Sequence, residues 1–167
     1  MTYATATEML TRFDASEIAQ RVDRGVPRLV TAELMIAVAA GVSLADYTAD
    51  EQARAAAALV VVQRSLQDAD DTINSYISAR YKLPITPVPP VLARVACELA
   101  RFYLYDDQVT DTIKDRQAAS VKWLDSVSKG AVSLGADATG EQPTSSAGAE
   151  LVSSEPVWKR QNSQGFI

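Results

Sequence analysis

The chain has 167 residues, 47% hydrophobic and 22% charged, a balance that fits one folded domain and not a charge-rich disordered chain. Sixteen Lys plus Arg against twenty-one Asp plus Glu leave a net charge of -5, so the clustered positive charge of a nucleic-acid binder is missing. Histidine is absent and Cys97 is the single cysteine, which removes Ser-His and Cys-His catalysis, the usual zinc sites and any intramolecular disulfide.

Aromatic residues are only 7% and strand-like alternation is rare, so the pattern predicts an all-α helical bundle. Thr5 or Thr7 caps a first short helix carrying Met9, Leu10 and Phe13, and Asp14 separates it from a second piece that turns Ile18 and Val22 inward. Residues 24–47 read as a further helix: Pro27 suits a first turn, Leu34, Ile36 and Val38 are apolar, and Gly41 supplies a left-handed cap. The apolar stretch from Leu34 to Leu44 is shorter than the roughly 20 residues of a membrane span, and the N-terminus lacks the layout of a signal peptide. The expectation is a soluble protein made in a reducing or undemanding compartment.

Thr48 followed by Glu51 forms a capping box, and a long helix of about 49–80 begins there, roughly 45–50 Å in length. Leu59, Val62, Leu66, Ala69, Ile73, Tyr76 and Ile77 step by three and four along its inward stripe. Pro84 and the prolines up to Pro90 then impose a stiff, extended elbow (84–90). Two further core helices follow. One starts at Pro89 or Pro90 and buries Leu92, Leu99 and their neighbours; the other runs from about Thr110 to Lys129-Gly130 and buries Ile113, Val121, Leu124 and Val127.

Past Gly135 the composition turns to Ala, Gly, Ser and Thr, which divides the chain into a helical domain, 1–135, and a flexible or extended C-terminal arm, 136–167. The arm ends in Trp158, Lys159, Arg160, Phe166 and Ile167, an apolar and basic end on a tether that suits docking onto another chain.

Residues able to carry chemistry are few. Asp68 and Asp71 share a helix face, but two carboxylates without a partner histidine or a glycine-rich loop fit a solvated face or salt bridges to a neighbouring chain better than a metal site. Asp106, Asp107, Asp111 and Asp115 are read as loop solvation and helix-start charge. Cys97 reads as core. Tyr76, Tyr81, Leu83 and Pro84 pack the elbow, which Phe102, Tyr103 and Tyr105 also bracket. No phosphate loop, paired-cysteine motif or nucleophile elbow occurs, so the chain reads as a non-enzyme without cofactor or metal.

Asp68-Ala69-Asp70, Ile73 and the run Tyr76-x4-Tyr81-x-Leu83-Pro84 form a motif, followed by Val88-Pro89, Leu92, Leu99-Ala100-Arg101, Trp123-Leu124 and Lys129-Gly130. With Tyr3-Ala4-Thr5 and Arg12-Phe13, these residues resemble the Mu-like tailed-phage and prophage head-to-tail adaptor family, long catalogued as a domain of unknown function. The resemblance covers residues 2–23 and 50–135. It implies a structural virion protein of the neck, made in the host cytoplasm: a homo-oligomeric, dodecameric ring between the capsid portal protein and a tail-side stopper or tail-completion protein.

The C-terminal arm would reach the portal, DNA would pass through without specific binding, and no membrane is involved. An acidic lumen suits that passage, with Asp68, Asp71, Asp106 and Asp107 as candidate channel-facing acids. The alternative is a small cytoplasmic helical protein-binding or regulatory module.

Overall fold

Short polar caps decide where the helices begin. In the computed structural model, which describes residues 2–135, α1 (Ala6–Arg12) opens on Thr5, whose hydroxyl accepts the Glu8 N–H while the Glu8 carboxylate accepts the Thr5 N–H. Asp14 caps α2 (Ala15–Val22) by accepting the Ser16 N–H. Thr31 caps α3 (Ala32–Ala40), which ends at Gly41 in the left-handed conformation, φ +68°. The capping box recurs at Thr48 and Glu51 to open α4 (Ala49–Ile77). In α5 (Pro90–Tyr105) Pro90 occupies the first turn, where no amide donor is needed. A 3-10 turn (Asp106–Gln108) leads to α6 (Asp111–Ser128). Among the described residues there is no strand, and the fold is all-α.

The axis of the bundle is α4, which touches every other helix and packs most extensively on α5. Its Ala55, Ala58, Val62, Leu66, Ala69, Ile73 and Ile77 form one continuous buried stripe. Leu92, Val95, Ala96, Leu99 and Ala100 of α5 and Leu124 and Val127 of α6 meet it. Burying each large aliphatic side chain contributes about 1.5–3 kcal/mol, so this seam dominates the stability of the bundle.

Three expectations change. Residues 24–31 are not helical; α3 starts at Ala32, and Pro27, after a cis Val26–Pro27 bond, lies in the loop before it. A proline tolerates a helix start but does not create one, whereas the Thr31 hydroxyl accepts the Leu34 N–H. Second, α4 stops at Ile77 instead of near Arg80, and its 29 residues span about 43 Å. Third, the aromatic residues divide: Tyr81 lies at the elbow, while Phe102, Tyr103 and Tyr105 belong to the far end of α5.

The elbow contains cis Leu83–Pro84 and Thr86–Pro87 bonds and inserts Ile85 into the core. The Tyr81 hydroxyl accepts the Leu134 N–H at 3.0 Å, tying the chain beyond α6 to the elbow.

Candidate functional site

A buried carboxylate organises the polar end of the bundle. Asp23, just beyond α2, accepts N–H bonds from Gly25, Leu29 and Val30 at 3.0, 2.7 and 3.0 Å and a bond from Arg54 Nη1 of α4 at 3.1 Å. Burial pushes its pKa up, but the three backbone donors and the guanidinium outweigh burial and hold it below the ordinary carboxyl value. A Cβ at Gly25 would sit 1.2 Å from Arg54 Nη1, so a side chain there displaces the guanidinium from its present position.

Residues 24–30 therefore fold back around Asp23, leaving Arg24, Val26, Pro27 and Arg28 exposed. Beside them opens a cavity of about 380 Å³ whose lining includes Arg21, Arg24, Arg28, Gln20, Gln108 and Asp106.

The cations at this end are not equivalent. Arg101 is neutralised by Glu17, its Nε and Nη2 lying 2.8 and 2.6 Å from the two carboxylate oxygens, and it stacks 4.6 Å from the centre of the Phe13 ring. Tyr105 adds a hydroxyl bond to Glu17 at 2.5 Å; burial, then that carboxylate, raise its pKa. Arg21 lies 4.1 Å over the Tyr105 ring and donates to Gln108 at 3.0 Å. Arg24 and Arg28 have no salt bridge among the described side chains.

A second buried carboxylate sits on α4. Asp70 Oδ1 accepts the Tyr3 N–H at 3.1 Å, while Oδ2 is buried without a hydrogen-bond partner. Burial pushes its pKa up to about 6, against the smaller opposing effect of the Tyr3 bond. The Tyr3 hydroxyl reaches Asn74 Oδ1 at 2.5 Å, so the N-terminal segment is fixed to α4 twice.

The neighbouring Asp68 and Asp71 are exposed, with Asp71 accepting from Gln67 at 3.0 Å. Asp106 is exposed at the arginine-lined cavity, and Asp107 lies in the same 3-10 turn. Asp68 and Asp71 lie on α4, whereas Asp106 and Asp107 lie in the 3-10 turn after α5. At the elbow Tyr81 is buried, Tyr76 and Leu83 are half-buried, and Pro84 is exposed at a cavity shared with Tyr3 and Asn74. Trp158, Lys159, Arg160, Phe166 and Ile167 lie outside the described residues.

Sequence reading missed the Arg21, Arg24 and Arg28 group and the Asp23 and Asp70 sites. The signal present was the Arg-Gly-Val-Pro-Arg run at 24–28, with two cations around an apolar pair.

Among the described residues no group of three or more His, Cys, Asp or Glu is placed to hold a metal ion. The Cys97 thiol is buried, and burial pushes its pKa up to about 11, far from a reactive thiolate. No described helix is long and apolar enough to cross a membrane.

Fold and polar sites together define a small helical bundle whose buried charges build junctions between its own elements and whose Arg21, Arg24 and Arg28 line one cavity. The chain belongs to the bacteriophage Mu Gp36 family, whose family model matches residues 3–153. Over 106 residues it is 41% identical to the Mu-like prophage FluMu protein gp36 of Haemophilus influenzae, covering 64% of this chain and 75% of that protein. Over 108 residues it is 36% identical to gene product J of Escherichia phage Mu, covering 64% and 76%. It is a Mu-like phage protein.

Proposed function

We propose that this protein is the head-to-tail adaptor of a Mu-like phage: a structural, non-enzymatic virion protein that forms a ring below the portal and leaves a channel for DNA. The observation that carries the reading is the double character of α4. One stripe of it is the core of the bundle, and the opposite stripe, Ala53, Ala57, Val60, Arg64, Asp68 and Asp71, faces solvent along the same rod. An axial helix with a spare apolar and charged face suits a subunit that packs against other subunits.

Closed cyclic assembly needs two different complementary patches on each subunit. The acidic surplus of the chain avoids the phosphate contacts that would hold a passing genome. The arm ending in Trp158 and Phe166 would supply the attachment to the portal.

Negative-stain imaging of the full chain mixed with the portal protein of its phage tests this reading. Collars on the portal are expected, and deleting residues 151–167 should remove them while leaving the helical circular dichroism intact. A protein that leaves the portal bare, or that is absent from the necks of mature particles, would instead be a helical binding or regulatory module.

A further inference from the structure

The loop at 24–28 has an unusual surface for an acidic chain. Val26 is 96% exposed, Pro27 follows it, and Arg24 and Arg28 flank the pair with no carboxylate partner among the described side chains. The loop is not floppy in its hydrogen bonding, because Asp23 accepts the amides of Gly25, Leu29 and Val30. Arg21 adds a third cation to the adjoining cavity; Asp106 offsets one of the three, and Asp23 is already engaged by Arg54. A net positive concavity with an apolar tip is therefore held in a fixed shape.

The exposed face of α4 carries the complementary features in order. Val60 and Val61 are 53% and 41% exposed, Arg64 lies one turn beyond them, and the acidic pair Asp68 and Asp71 follows two turns further along the same face, so that its acidic end outweighs the single cation. Within one molecule the two surfaces do not pair: neither Arg24 nor Arg28 forms a salt bridge with Asp68 or Asp71. Arg54, which holds the root of the loop at Asp23, lies roughly 21 and 25 Å along α4 from those two acids at the rise of a straight helix. A pairing of the two would be made between copies.

We propose that the 24–28 loop of one copy seats on the exposed face of α4 of the next, Val26 against Val60 and Val61 and Arg24 and Arg28 against Asp68 and Asp71. The occupant is a second copy of this chain, and the contact is heterologous, the kind that closes into a ring. This rests on the adaptor reading for its biological setting but not for its chemistry. A DNA backbone would use the arginines and leave Val26 in water; the α4 face uses both. A symmetric pairing of two α4 faces would leave the arginine loop unused.

Disulfide trapping in the full chain tests the contact. Val26→Cys with Val61→Cys, oxidised mildly with and without the portal protein, should give a ladder running beyond the dimer, the native Cys97 being buried. Adding Arg24→Glu and Arg28→Glu should cut the ladder by at least about tenfold, since like charges would then face each other. Adding Asp68→Arg and Asp71→Arg to that variant should restore it.

The contact is overturned by the absence of a ladder, by Val61→Cys alone cross-linking as well as the pair, or by a ladder indifferent to Arg24→Glu and Arg28→Glu. It is also overturned if those charge reversals abolish retention of a DNA duplex and leave the ladder intact. Portal collars without a ladder would sink the contact and spare the adaptor reading; a ladder without collars would do the reverse.

Discussion

Asp23 and Asp70 are both buried carboxylates in an acidic domain, and they behave in opposite ways. Asp23 meets three amides and a guanidinium, which hold its charge; Asp70 meets one amide, and its second oxygen has no partner. Donor count, more than depth, decides the direction of the pKa. The difference also separates two tasks: at Asp23 a charge folds a loop and presents arginines, whereas at Asp70 a poorly satisfied group fixes the N-terminal segment.

The strongest way to break this contrast is Asp23→Ala, which takes the acceptor from three amides and leaves Arg54, already 36% exposed, to water. Urea denaturation should show a loss of about 2–4 kcal/mol, and a loss below about 1 kcal/mol would mean the loop does not depend on the carboxylate. Asp70→Asn should act in the opposite direction. With a folded-state pKa raised from 3.8 to about 6, the native state keeps a proton that the unfolded chain has released, so stability is highest below that window and declines as pH rises through it.

The Asn variant should therefore lose this decline between about pH 4 and 6. At pH 7.5 it should be about 1–2 kcal/mol more stable, the roughly 3 kcal/mol cost of the charge less that of an unpaired amide. An unchanged slope in thermal melts across that range would remove Asp70 from the account. For Asp23 the sign reverses, its contribution being present above the unfolded-state pKa and lost as pH falls through its depressed folded-state value.

Two smaller changes sharpen the comparison. Gly25→Ala should push the Arg54 guanidinium off Asp23 and cost about 1–2 kcal/mol, with the backbone bonds to Asp23 surviving. Tyr3→Phe should cost about 0.5–1.5 kcal/mol by deleting the bond to Asn74, and amide exchange should rise at residues 2–5 and nowhere near Asp23.

Local chemistry was legible in the sequence. The Thr48 and Glu51 box, Asp14 as the break between α1 and α2, Gly41 as a C-cap and Pro90 as a helix start each involve residues within a few positions of one another. The inward stripe of α4 was legible for the same reason, since a period of 3.6 is a local property.

What distance in the chain concealed was the use of the charges. Asp70 is bonded to a residue 67 positions away and Arg54 to one 31 away, so spacing on α4 made Asp68 and Asp71 conspicuous and showed Asp70 only as part of a motif, without its bond to Tyr3. The loop at 24–31 was misread because its order comes from Asp23 and from no repeat of its own.

One consequence of the continuous α4 is mechanical. An unbroken helix of 29 residues is stiff along its axis and in contact with all five other helices of the described residues, so it acts as a lever. A tilt of about 5° at Arg54 displaces the Ile77 end by roughly 3 Å over a length of about 35 Å. Strain applied at one end of such a beam would register at the proline elbow as a translation and not as local unravelling.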